Sequence, residues 1–290
     1  MMYVHGESPL GAAEKKSLIS GAPFDIVCIT GFAVMADGNV RVAVNREKLA
    51  HISRSSRARG ARMYPLIAPR SVSQGKRLLR SVEARDTAIR NLGRILKVFN
   101  FTGLHLDFEY FPPDYRHDLA VFIRELKASF PGTTISMAVF PQTGFPSEYA
   151  RFHDLALLAP LLDEIVLMCY DLHRPETAPG PITSVDWARR SIAHARAHVD
   201  SRRLYLGIPA YGYRWTKDGR AAVVTGFQGK RLIRSALSVR DPSGTVRLNG
   251  RKDGSFVFFS DDHTRAVLTA LAKEHRLAGI AVWRLGFDDL

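Results

Sequence analysis

Cysteine is scarce in this chain, with only Cys28 and Cys169 among 290 residues. Both sit in apolar runs that read as buried strands, and neither has a metal-ligand spacing or a CxxC context, so packing accounts for them. They leave the redox compartment open. Long apolar runs are missing too. No stretch approaches the ~18 residues of a membrane span, and Met1-Met2-Tyr3-Val4-His5 lacks the charged and then apolar order of a signal peptide. No GxGxxG or Walker pattern occurs, which removes the usual phosphate-binding loops. Acidic residues are the minority, 28 against 41 Lys and Arg, for a net charge of +13. Between Arg41 and Lys97 fifteen basic residues face only Glu47, Glu83 and Asp86. Such a surface suits polyanions such as wall polymer, nucleic acid or lipid headgroups, or is simply well solvated. No nucleic-acid-binding motif accompanies it.

The chain does have ample apolar residues, 46% of the total, enough for one large domain of the size common among α/β barrels. Short β-branched runs alternate with amphipathic helical stretches. The predicted strands are 2–5, 24–32, 62–68, 103–109, 134–140, 164–170, 203–208 and 278–283. One helical stripe comprises Ala88, Leu92, Ile95, Leu96 and Phe99; another runs from Tyr115 through Leu119, Phe122, Ile123 and Leu126 to Phe130. Residues 155–162, 187–198 and 262–275 supply three more helices. Eight strands with intervening helices predict a parallel sheet with right-handed crossovers, closed as a (β/α)8 TIM barrel. An open doubly wound sheet would need a switch point and usually a glycine-rich loop. Residues 213–261 break the alternation and read as a small α+β insertion between strand seven and its helix, over the barrel mouth. That stretch shows a helical piece near 230–237 and turns at Asp241-Pro242-Ser243-Gly244 and Asn249-Gly250. The eighth helix is expected to be absent or vestigial, and residues 1–290 to form a single domain.

The fourth strand carries the chemistry. Alternation places Gly103, His105, Asp107 and Glu109 on one face and Leu104, Leu106 and Phe108 on the other. Burying unpaired charge is costly, so two carboxylates and an imidazole on one strand face point to a site. At other strand ends stand Met168-Cys169-Tyr170-Asp171 and Trp283-Arg284, and strand seven runs out into Gly207-Ile208-Pro209-Ala210-Tyr211-Gly212. His153, His173 and His263 show no ligand spacing and read as surface or loop residues.

At these positions the sequence resembles glycoside hydrolase family 18, the chitinase-like barrels. The family pattern D-G-x-D-x-D-x-E is met by Thr102-Gly103-Leu104-His105-Leu106-Asp107-Phe108-Glu109, with Thr102 and His105 in place of its first two acidic residues. Met168-Cys169-Tyr170-Asp171 is similar to the family's M-x-Y-D, and Trp283 falls where the family has a Trp under the sugar. Asp107-Phe108-Glu109-Tyr110, Gly207 to Tyr213, Phe259-Ser260-Asp261-Asp262 and Trp283-Arg284-Leu285-Gly286 resemble the spore-cortex-lytic branch, which acts on peptidoglycan.

The resemblance implies substrate-assisted hydrolysis of a β-linked N-acetylglucosamine polymer, peptidoglycan or chitin-like, with retention. Glu109 would be the acid, Asp107 would orient the substrate amide, and Tyr170 would donate to the acetamido oxygen. Trp283, Asp171, Tyr211, Met168 and His105 would line or support the sugar site. No cofactor or metal is implied. The expected partner is that polysaccharide, met at the cell envelope or outside it by a monomer, with no nucleic acid and no membrane span. Two other readings are a non-catalytic carbohydrate-binding barrel and a metal hydrolase with His105, Asp107 and Glu109 as ligands.

Overall fold

The computed structural model describes residues 1–12, 14–15, 24–233, 237–249 and 253–287. Its strands are β1 (Met2–Val4), β2 (Ile26–Val34), β3 (Val40–Val42), β4 (Arg62–Pro69), β5 (Gly103–Leu106), β6 (Thr134–Val139), β7 (Glu164–Met168), β8 (Leu204–Pro209), β9 (Tyr211–Trp215), β10 (Ala221–Thr225), β11 (Leu237–Arg240), β12 (Val246–Asn249), β13 (Phe256–Phe259) and β14 (Gly279–Trp283). Eight of them run parallel in the order β1-β2-β4-β5-β6-β7-β8-β14, and β14 closes on β1. β3 only extends β2 as an antiparallel hairpin. The chain therefore folds as the expected TIM barrel, and closure leaves the main sheet without a ragged edge.

The helices are α1 (Arg46–Ala58), α2 (Val72–Arg80), α3 (Val82–Phe99), α4 (Arg116–Ser129), α5 (Ser147–Ala150), α6 (Leu155–Leu158), α7 (Val185–Ala195), α8 (Gly226–Ile233) and α9 (Asp262–Glu274). Their ends follow local chemistry. Ser81 accepts from the Ala84 N–H at the start of α3, and Asn100 ends that helix in the left-handed conformation at φ 54°. The predicted helix over 155–162 shrinks to the single turn of α6, because Pro160 cannot continue a helix. After β14, residues 284–287 form a turn, and the expectation about an eighth helix otherwise falls on residues outside those described.

Two apolar masses hold the barrel. Inside it, Tyr3, Ile26, Cys28, Tyr64, Leu66 and Val166 pack together. A larger mass joins the barrel to its helices and includes Leu104, Leu106 and Phe108 with Leu119 and Phe122 of α4. Both cysteines are free and fully buried, as packing residues should be. Gly103 is required where it stands, since a Cβ there would lie 2.6 Å from the Tyr64 ring and 2.8 Å from the Thr134 carbonyl oxygen.

The insertion is a five-stranded antiparallel sheet in the order β10-β9-β13-β12-β11. Its first strand starts at Tyr211, two residues before the predicted boundary, so only Ala210 separates it from the barrel strand β8. Its helix, α8, spans Gly226–Ile233, earlier than the predicted 230–237, and Leu237 opens β11 instead. The turn at Asp241–Gly244 is present, with the Gly244 N–H donating to the Asp241 carbonyl at 2.8 Å. The predicted Asn249-Gly250 turn lies partly outside the described residues. Arg240 donates to both carboxylate oxygens of Asp261, at 2.9 and 2.8 Å, and Asp261 caps α9. That fork ties the insertion to the barrel's seventh helix.

Candidate active site

At the C-terminal ends of the strands lies a cavity of about 400 Å³ lined by Asp107, Glu109, Tyr170, Asp171, Tyr211 and Trp283, with Tyr3, Leu66, Ala68, Pro69, Ser71, Val72 and Ala138. Six predicted site residues from four strand ends thus meet in one place. Met168 and His105 do not join them. Met168 is buried two residues short of Tyr170 on the same pleated face. His105 is also fully buried, with its two ring nitrogens 2.9 Å from the Tyr3 and Ser136 hydroxyls. Neither ring nitrogen is left for Asp107, so the expectation that these two residues contact substrate does not match their placement.

β5 ends at Leu106, short of the predicted Glu109, although the Asp107 N–H still donates to the Ile67 carbonyl at 2.9 Å. Past that bond the backbone leaves the sheet. Phe108 keeps its ring in the outer core, 6.1 Å from the Phe122 ring, while its carbonyl is held by His153. This histidine lies in a loop, one of the two places expected for it, but is fully buried and not on the surface. Its Nδ1 accepts from the Phe140 N–H at 2.8 Å, so the neutral ring carries its proton on Nε2 and donates it to the Phe108 carbonyl, also at 2.8 Å. His153 thereby fixes the residue between the two carboxyls. Nothing in its spacing announces this; the only sequence cue is the neighbouring Phe152.

Non-glycine residues with left-handed backbone stand directly after two site residues. Tyr110 follows Glu109 at φ 62°, and Asp171 follows Tyr170 at φ 58°. Such conformations persist only where the surroundings enforce them. Around Asp171 the Tyr211 and Tyr213 hydroxyls both donate to Oδ1, at 2.7 and 2.9 Å. Tyr213 was not foreseen, because its reach depends on how β9 leaves the rim. Gly207 makes room for Tyr170; a Cβ there would lie 3.0 Å from the Tyr170 ring and 2.8 Å from the Leu167 carbonyl. Trp283 packs 5.1 Å from the Tyr3 ring and is followed by a cis peptide to Arg284.

Electrostatics separate the two carboxyls. Burial, then the Asp107 charge and hydrogen bonding with Asp107, push the Glu109 carboxyl well above the usual range. Burial also raises Asp107, but accepting from Glu109 works in the opposite direction. Of the two, Glu109 is pushed up further and is the better holder of the shared proton. Asp171 is raised by burial as well, against the pull of its two tyrosines. Burial lowers His105 to about 3, so this imidazole is neutral beneath the carboxyls at ordinary pH. Thr102, the other departure from the family pattern, bonds to the backbone of Met63 at the opposite end of β5. Among the described residues no three His, Cys, Asp or Glu side chains are placed to hold a metal.

The profile of the glycosyl hydrolases of family 18 matches residues 25–288. The chain belongs to that family. It is 26% identical over 232 residues to the cortical fragment-lytic enzyme of Bacillus subtilis, a match covering 74% of this chain and 53% of that protein. It is also 24% identical over 249 residues to a class V chitinase of Arabidopsis thaliana, covering 71% of this chain and 63% of the relative. The chain spans between about half and two thirds of the length of the curated Bacillus subtilis relatives it matches. In fold, this family 18 barrel is similar to a chitinase of Chromobacterium violaceum, with TM-score 0.89, 23% identity and coverage of 100% and 95% of the two chains. It is likewise similar to the spore cortex-lytic enzyme SleL of Bacillus megaterium, with TM-score 0.87, 20% identity and coverage of 99% and 70%. Among the described residues, no helix of this family 18 chain is long and apolar enough to cross a membrane.

Proposed function

We propose that this family 18 chain hydrolyses β-linked N-acetylglucosamine polymers by a substrate-assisted, retaining mechanism. The observation that carries the proposal is one cavity lined by Asp107, Glu109, Tyr170 and Trp283, in which the two carboxyls hydrogen-bond each other and Glu109 is pushed furthest toward its protonated form. A conventional retaining pair stands about 5–5.5 Å apart and an inverting pair about 6.5–9.5 Å, with the anomeric carbon between them. Carboxyls that share a proton leave no such room. They act from one side, and the nucleophile must come from the sugar.

Glu109 gives its proton to the glycosidic oxygen as the bond to C1 breaks. The acetamido carbonyl oxygen of the same sugar attacks C1 and forms an oxazolinium ion. Asp107, relieved of its shared proton, accepts from the amide N–H and offsets the positive charge. The Tyr170 hydroxyl, held neutral by burial, donates to the acetamido oxygen. Glu109, now a carboxylate, takes a proton from water attacking C1, and the ring opens with retained configuration. Trp283 gives the sugar an apolar surface, and Asp171 with Tyr211 binds its hydroxyls.

Glu109→Gln keeps size and hydrogen bonding but has no proton to give. It is expected to lower hydrolysis of a β-linked N-acetylglucosaminide by about a thousandfold, with binding retained in calorimetry. Unchanged turnover would sink the proposal. Tight binding by the wild type with no product over long incubation would select the carbohydrate-binding reading.

A further inference from the structure

The turn that follows Trp283 rests on a buried ion pair. Lys48, in the first turn of α1, is 1% exposed, and Glu14 is 6% exposed. The Lys48 ammonium donates to Glu14 Oε1 at 2.7 Å, and the Gly11 N–H donates to Oε2 at 2.8 Å. Lys48 is itself fixed by Asn45, whose side chain accepts from the Lys48 N–H at 2.9 Å. Gly286 lies against the stem of Glu14; a Cβ there would stand 2.7 Å from Glu14 Cγ. Residues 284–287 thus sit on a carboxylate gripped at both oxygens.

That turn joins two parts of the cavity wall. At one end is Trp283, and next to it the Leu285 N–H donates to the Tyr3 carbonyl at 2.9 Å. At the other end the Phe287 ring stands 5.7 Å from the Tyr211 ring, with Arg284 over Phe287 at 4.1 Å. Burial lowers the Arg284 guanidinium, and the Glu14 charge opposes that shift. An ion pair is a costly way to fill such a space. Desolvation offsets much of the attraction, and apolar side chains of similar volume often serve stability as well or better. What the pair supplies is a fixed direction, because two hydrogen-bonded oxygens hold the Glu14 stem in one place.

Resting on the reading of the cavity as a sugar site, we infer that Glu14 and Lys48 are positioning residues for substrate. Their ion pair seats the 284–287 turn and so sets where Trp283 and Tyr211 meet the sugar, although neither residue lines the cavity.

The test measures kcat and KM on chitohexaose, its Kd by calorimetry, and denaturant unfolding. It compares the wild type with Glu14→Gln, Lys48→Met and the double variant. Each single variant leaves one buried charge unpaired and should be less stable. Per folded molecule, each should raise KM and Kd by about tenfold with kcat within about twofold of the wild type. The double variant removes both charges at similar volume, so its stability should return to that of the wild type or exceed it. Its KM and Kd should nevertheless stay about fivefold or more above the wild type. Should the single variants fail to fold, the double variant decides alone. Recovery of KM and Kd together with stability in the double variant, or no change in either constant, overturns the inference. A wild type that binds chitohexaose without cleaving it overturns the glycosidase reading alone, and Kd still decides the role of the pair. A wild type that neither binds nor cleaves it overturns both.

Discussion

The two faces of β5 and its extension differ in how far they are buried and in how they are built. On the outer face Leu104, Leu106 and Phe108 are fully buried against α4, and removal of apolar area from water is sufficient reason for them to be there. On the inner face His105 is just as buried, while Asp107 and Glu109 are partly exposed where they line the cavity. Those groups are tolerated because hydrogen bonds satisfy them and because burial changes their protonation: the imidazole stays neutral, and one carboxyl keeps its proton. The outer face stabilises the fold. The inner face spends part of that stability to hold a proton where a substrate can take it.

Substitutions can break this contrast. Asp107→Asn removes the charge that stabilises the oxazolinium and leaves the shape; kcat on a chromogenic N-acetylglucosaminide should fall by about a hundredfold or more. The fold should change little, since an uncharged amide is easier to bury than a carboxylate. Leu104→Ala is the converse. Denaturant unfolding should show a loss of about 2–5 kcal/mol, while kcat of the folded fraction stays near that of the wild type. If both substitutions altered activity and stability alike, the division between the two faces would fail.

The smallest expected effect sharpens the contrast at His153, which lies outside the barrel yet touches the Phe108 carbonyl. Burial lowers this imidazole to about 4, below its unfolded value near 6.5. The unfolded chain therefore binds the extra proton first as the medium is acidified. The contribution of His153 is fully present above pH about 6.5 and is lost as pH falls toward about 4. Buried Asp107 and Glu109, with raised values, work in the opposite direction. His153→Gln retains an acceptor and a donor but does not titrate. Its stability, measured by denaturant unfolding from pH 7 to 4, should decline less steeply than that of the wild type, at a cost of about 1 kcal/mol at pH 7. An identical slope would show that His153 does not carry the acid sensitivity.

Much of the site was legible because alternation along a strand is a local property. Once 103–109 is extended, Asp107 and Glu109 must share a face, and Tyr170, Asp171 and Trp283 stand at the ends of other strands in an eight-strand count. His153 escaped because a lone histidine in a loop has no periodicity, and its partners Phe140 and Phe108 are 13 and 45 residues away in sequence. His105 and Met168 were placed one layer too high. Strand alternation says which face a residue takes but not how far along the barrel axis the cavity reaches. Tyr213 was missed for a related reason: its hydroxyl reaches Asp171 only because β9 leaves the rim immediately after β8.

What the sequence by itself determined is the number and order of strands, the face each side chain takes, and the presence of an acid pair on the fourth strand. These follow from period-two and period-3.6 patterning, which act over a few residues. The tertiary structure alone decided the raised pKa of that pair, the neutrality of His105 and the support from His153. Those depend on desolvation and on distances between groups far apart in the chain, which are set only when the barrel closes.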